Sequence, residues 1–177
     1  APDDKTFEYL IDKPMSPKGS DWDQAIEKWS QLFTDEHADF DNEISVDVGR
    51  LTPMVTYGTN PGMAIQIDDI VPEENGDLGY RQSLNYMQIE AGKPILGKDI
   101  DVVFIGSCTN SRISDLQDAA EIFKDRKVSH GVKALIVPGS QAVKKEAENL
   151  GLDKIFESAG AEWRESGCSM CLGMNCD

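Results

Sequence analysis

The sequence predicts an α/β fold, a three-layer α/β/α domain on a mainly parallel sheet. From residue 100 onward, short apolar runs alternate with polar segments of helical period, the pattern of βα units joined by right-handed crossovers. The apolar runs "DVVFIGS" and "VKALIVPGS" are continuous, as expected of strands buried on both faces. Both end in small-residue turns, where open α/β sheets collect their ligands.

Each element can be justified in order. Residues 1–99 read as a loop-rich N-terminal portion, and residues 100–177 as a βαβ core. In the first portion Pro14, Pro17 and Gly19 precede "SDWDQAIEKWSQLFTDE", where Trp22, Ile26, Trp29 and Phe33 recur at helical spacing behind Ser20 or Asp21 as a cap. That spacing predicts a helix over 21–34. "ISVDV" (44–48) alternates and predicts a half-buried strand. "TYGTNPGMAIQI" is a Gly/Pro turn at 58–62 leading into another short strand, and a helix follows at about 80–91. In the core, "DVVFIGS" is a strand and "SDLQDAAEIFKDR" a helix capped by Ser114. "VKALIVPGS" is a second strand, "QAVKKEAENLG" a helix stopped by Gly151, "DKIFESAG" a short helix, and "AEWRE" (161–165) a third strand.

Charge and composition exclude several classes of function. The 177 residues carry 32 acidic and 17 basic side chains, a formal net charge of −15, with 12 acidic and 4 basic residues in 1–44. Such a chain lacks the positive footprint that nucleic acid or an anionic membrane requires, so neither is an expected partner. The acidic segment itself reads as a solvated surface. No apolar stretch approaches bilayer length and no secretory leader opens the chain, which predicts a cytoplasmic protein. Walker loops, G-x-G-x-x-G fingerprints and H-E-x-x-H helices do not occur.

The cysteines carry the chemistry. Cys108 sits in "GSCTNS" (106–111), and Cys168 and Cys171 form a C-x-x-C within "SGCSMC" (166–171); "PGS" (138–140) ends the strand between them. All three segments follow strands, so three thiolates can meet on one rim. Such a tripod leaves one position of a metal, or one iron of a cubane cluster, open to water or substrate. A C-x-x-C alone is weaker, since it also serves redox pairs and half zinc sites. A zinc site would need a fourth ligand from Cys176, His37 or His130. Cys176 reads first as a spare thiol, and both histidines as exposed surface residues. Ser107, Thr109, Asn110 and Ser111 surround Cys108. They can cap the following helix, and they can also hydrogen-bond cluster sulfurs or a bound carboxylate.

With these residues in view, the sequence resembles a known family. "VFIGSCTNSRISDL", "KALIVPGS", "GLDKIFESAGAEWRESGCSMCLGMN" and "TYGTNPG" are similar to the large subunits of 3-isopropylmalate dehydratases, within the aconitase superfamily. The resemblance runs along nearly the whole chain, and "GTNPG" favours the isopropylmalate branch. It implies a [4Fe-4S] cluster on Cys108, Cys168 and Cys171, with no protein ligand on the fourth iron. It also implies a hydro-lyase that converts 2-isopropylmalate to 3-isopropylmalate through an alkene in leucine biosynthesis, as a heterodimer with a small subunit.

The same resemblance marks departures. Family large subunits are considerably longer, so the chain reads as an internal fragment without its own catalytic base, inactive alone, whose cluster can be absent when it is isolated. Cys176 stands where the relatives carry another residue, and could pair with Cys168 or Cys171. Homoaconitase and methylmalate-type dehydratases remain alternatives within the superfamily. A non-catalytic iron or redox sensor and a structural zinc module are alternatives of a different class.

Overall fold

A computed structural model describes residues 2–172 of the chain. The chain divides into two compact units, Ala1–Leu51 and Thr52–Asp177.

The first unit holds α1 (Asp4–Leu10) and α2 (Ser20–Trp29). Asp3 caps α1 by accepting the Thr6 N–H at 2.9 Å. Phe7 stacks on Trp29 with ring centroids 6.4 Å apart, and Trp22 meets Trp29 edge-on at 6.0 Å. These rings fix the spacing that the sequence showed, but none of the described residues 2–51 is buried. The helix expected over 21–34 therefore ends at Trp29. Leu32 and Phe33 are 56% and 72% exposed, and without packing a terminal helical turn is not held. The strand expected at 44–48 is absent for a similar reason. Ile44, Val46 and Val48 are exposed, no described strand pairs with them, and Asp47 Oδ1 instead accepts the Gly49 N–H as a 3₁₀ turn (Val48–Arg50) begins.

The second unit contains two small cores. In the first, β1 (Met54–Thr56) pairs antiparallel with β2 (Ala64–Gln66), Val55 opposite Ile65. The 58–62 turn between them closes through Tyr57 N–H to Met63 O and Met63 N–H to Asn60 O. Tyr57, Met63, Val71 and Leu84 form the buried centre. The helix α3 (Leu78–Met87) lies slightly earlier than expected. Asp77 caps its start through the Gly79 N–H, and Gln88 in the left-handed region stops it.

The second core holds the parallel sheet, β3 (Val102–Gly106), β4 (Lys133–Val137) and β5 (Glu162–Trp163), in the order β3-β4-β5. Phe104 pairs with Leu135, and Ile136 with Trp163. When consecutive parallel strands lie side by side, right-handed crossovers place their connections on one face. Accordingly α4 (Ile113–Phe123), α5 (Gln141–Asn149) and α6 (Leu152–Ala159) share a single cluster with Ala134 and Ile136 of β4. Phe156, fully buried, stacks on Trp163 at 5.9 Å and meets Phe123 edge-on at 5.3 Å. Leu135 and Val137 have the opposite parity and are also fully buried, so both faces of β4 are covered. The chain is an α/β protein with a parallel sheet whose central strand β4 is buried; the edge strand β3, expected to be buried on both faces, is only partly covered, with Val102 exposed. One detail differs: α4 begins at Ile113, and its entry is fixed by the Arg112 N–H donating to Asp115 Oδ2 at 2.9 Å, not by Ser114. A short helix, α7 (Ser169–Leu172), follows β5.

Candidate functional site

Parallel strands deliver their carboxyl ends to one edge, and backbone hydrogen bonds tie the loops there together. The Ser107 N–H donates to Val137 O at 3.2 Å, linking the β3 and β4 ends. The Gly139 N–H donates to Ser111 O at 3.0 Å, closing the "PGS" turn onto the Cys108 loop. The Arg164 N–H donates to Ile136 O at 2.9 Å, the last ladder bond before the chain runs on to Cys168. These approaches demand glycine twice. A Cβ on Gly106 would lie 2.5 Å from Val137 O, and one on Gly139 would lie 2.8 Å from Ser111 O.

Cys108, Cys168 and Cys171 are free, exposed thiols on these loops. Cys108 Sγ lies 3.9 Å from Thr109 Oγ1, and Cys171 Sγ–H donates to Cys168 O at 2.7 Å. The backbone is strained beside two of them: Ser107, just before Cys108, has φ +72°, and Ser169, just after Cys168, has φ +38°. Left-handed backbone at a non-glycine residue costs on the order of 1–3 kcal/mol and concentrates at functional sites. Ser107 and Ser111 are buried, whereas Thr109 and Asn110 are exposed. Ser111 Oγ and Ser166 Oγ are buried hydroxyls with no hydrogen-bond partner among the described residues. An orphaned buried hydroxyl is costly, so two of them flanking the cysteine loops suit a group that accepts hydrogen bonds there. The sequence reading missed Ser166 and Ser169; their only signal was adjacency to the C-x-x-C.

The segment before Cys168 is anchored by charge. Glu165 accepts from Gln141 Nε2 at 3.3 Å and from Lys144 Nζ, both on α5. Lys144 also lies 3.7 Å from Glu148, which accepts the Trp163 indole N–H at 3.1 Å. The hydrogen bond from Lys144, then that from Gln141, holds the Glu165 carboxyl below its ordinary value. The bond to Glu165 raises Lys144 in turn.

Among the described residues, no group of three or more His, Cys, Asp or Glu side chains is close enough together to hold a metal ion. Cys108, Cys168 and Cys171 are thus not brought within reach of one ion, although soft, exposed sulfurs on the loops after β3 and β5 are the donor type that a thiolate-held group takes. Cys176 lies outside the described residues. His130 is exposed and precedes β4, so the length of that strand separates it from the cysteine rim. His37 is exposed in the first unit.

The model of the aconitase family (aconitate hydratase) matches residues 1–177. The chain belongs to the aconitase family. Within the family it is 56% identical over 183 residues to the "3-isopropylmalate dehydratase large subunit" of Roseiflexus castenholzii (strain DSM 13941 / HLO8), covering 100% of this chain and 39% of that protein. It is 54% identical, with the same coverage, to the "3-isopropylmalate dehydratase large subunit" of Solibacter usitatus (strain Ellin6076). The chain thus spans 39% of the length of the curated relatives it matches. Among the described residues no helix is long and apolar enough to cross a membrane.

Proposed function

We propose that this chain is the cluster-holding part of a hydro-lyase that interconverts 2-isopropylmalate and 3-isopropylmalate, acting with a small subunit in leucine biosynthesis in the cytoplasm. The observation that carries the reading is identity above 50% along the entire chain to two large subunits of that name.

The roles fall on residues of this chain as follows. Cys108, Cys168 and Cys171, as thiolates, would hold a [4Fe-4S] cluster. When bound, such a cluster supplies a Lewis-acidic iron that polarises a substrate hydroxyl and carboxylate. The hydroxyls of Ser111 and Ser166 are buried without partners among the described residues and can donate to sulfur, which offsets part of the thiolates' negative charge. Ser107, Thr109 and Asn110 shape the Cys108 turn and present further donors beside it. Gly106 and Gly139 let the β3 and β4 ends close, which fixes where Cys108 emerges. Dehydration also needs a positioned base and a clamp for the substrate carboxylates. The reading assigns both to the part of the relatives' length that this chain does not match and to the small subunit, so the isolated chain is expected to be inactive.

A chimera tests this reading. The Roseiflexus large subunit, with its matching segment replaced by this chain, would be co-expressed with its small subunit. It would then be assayed on 2-isopropylmalate, homocitrate, citrate and methylmalate. Turnover of 2-isopropylmalate above the other acids supports the proposal. A chimera that folds and processes another of these acids in preference points to a different hydro-lyase and overturns the substrate assignment.

A further inference from the structure

We propose that Gln141, Lys144 and Glu165 form a positioning clamp that sets the Cys168–Cys171 segment in register with the Cys108 turn, using the first turns of α5 as the common reference. The idea rests on the cluster-holding role proposed above, and it adds three residues that the thiolate ligand set does not contain.

The clamp is defined by an asymmetry in exposure. The Lys144 side chain is only 14% exposed, whereas that of Glu165 is 74% exposed. A wholly exposed ion pair is typically worth little, because ordering two long side chains offsets the attraction. Here one partner is already ordered: the Lys144 side chain is largely covered, and its ammonium sits between Glu148 and Glu165. Gln141, three residues earlier and therefore on the same helical face, gives Glu165 a second donor at 3.3 Å. Two donors on one face fix a carboxylate in orientation as well as position.

The place of Glu165 in the chain gives the clamp its consequence. β5 contains only Glu162 and Trp163, and its last ladder bond is made by the Arg164 N–H. Glu165 is the next residue, three before Cys168. At the start of the same helix, Ser140 caps α5 by accepting the Val143 N–H at 3.2 Å. Gly139, directly before it, is bonded to Ser111 O in the Cys108 loop. The start of α5 is thus tied to one cysteine loop through backbone and to the other through Glu165. The two ties restrict relative motion of the segments that carry the cysteines.

Amide hydrogen exchange on the cluster-free 177-residue chain tests the clamp directly. Glu165→Ala and Lys144→Ala should each speed exchange across 164–171 by about tenfold, with the 107–111 segment unchanged, because opening is local. Lys144→Arg, which keeps charge and reach, should restore parental exchange, and so in part should the reversed pair Lys144→Glu with Glu165→Lys. Unchanged exchange in both alanine variants overturns the clamp. A second arm reconstitutes each variant anaerobically with ferrous iron and sulfide and compares iron content and EPR signal with the parent. Loss of most cluster in the alanine variants, recovered in Lys144→Arg, supports positioning. Faster exchange with parental cluster content overturns it and leaves a purely structural tie. If the parent itself takes up no cluster, the isolated chain does not assemble the site by itself, and the exchange arm alone decides the clamp.

Discussion

At Gly106 the backbone of β3 comes so close to β4 that an added Cβ would lie 2.5 Å from the Val137 carbonyl oxygen. Gly106→Ala should therefore destabilise the chain by about 1–3 kcal/mol, the usual cost of forcing atoms into a filled site, measured as a lower urea midpoint with unchanged slope. The next residue, Ser107, carries φ +72° just before Cys108, and Ser169 carries φ +38° just after Cys168. The cysteines, the small residues around Cys108 and the strand-end turns were all readable from residue type and spacing. The orphaned hydroxyls of Ser111 and Ser166 were not, since a serine in a loop looks the same whether its oxygen is paired or not. The Lys144–Glu165 contact was also hidden, because it joins residues 21 apart in sequence through a fold that brings them together.

Elements were legible where they pack and illegible where they do not. The continuous apolar run marked β4 as a buried strand because both its faces are covered, α4, α5 and α6 filling one of them, whereas the similar run in β3 forms a strand that is only partly buried at the sheet edge. The alternation in 44–48 carries the same information, yet no described strand pairs with Ile44, Val46 and Val48, and pattern without a partner does not make a strand. Helix ends followed local hydrogen bonds: Asp115 rather than Ser114 fixes the entry to α4, and Gln88 ends α3. Ser140 does cap α5, so Ser140→Ala should cost about 1 kcal/mol and lower the thermal midpoint. In the smaller core, burial and then the neighbouring Tyr57 push the Tyr80 hydroxyl, which donates to Pro72 O, from 10.0 up to about 12. A raised folded value means that the folded state holds its proton longer. The associated stability is complete below pH 10.0 and is lost as pH rises toward about 12. Denaturation followed across that range should show the loss, and Tyr80→Phe should flatten it.

For the whole molecule, the two units differ in what holds them. Residues 2–51 bury nothing among those described, whereas in the second unit the parallel-sheet core is organised around Phe156, in contact with both Phe123 and Trp163. Phe156→Ala should cost about 3–5 kcal/mol, a large share of the 5–15 kcal/mol typical of a domain, and should unfold the cysteine-bearing unit cooperatively in calorimetry. The fold class and the family were legible because the strand-end signatures lie within this well-packed unit. The division at Leu51 was not, since the sequence shows no linker composition there. The claim on which the functional reading stands is that Cys108, Cys168 and Cys171 together hold one cluster. The direct test is anaerobic reconstitution with iron and sulfide, followed by visible and EPR spectra of the parent chain and of each single Cys→Ser variant. A cubane signal lost in Cys108→Ser, Cys168→Ser and Cys171→Ser but kept in Cys176→Ser supports that claim. A signal that survives loss of any of the three, or tight zinc binding that requires Cys176, contradicts it.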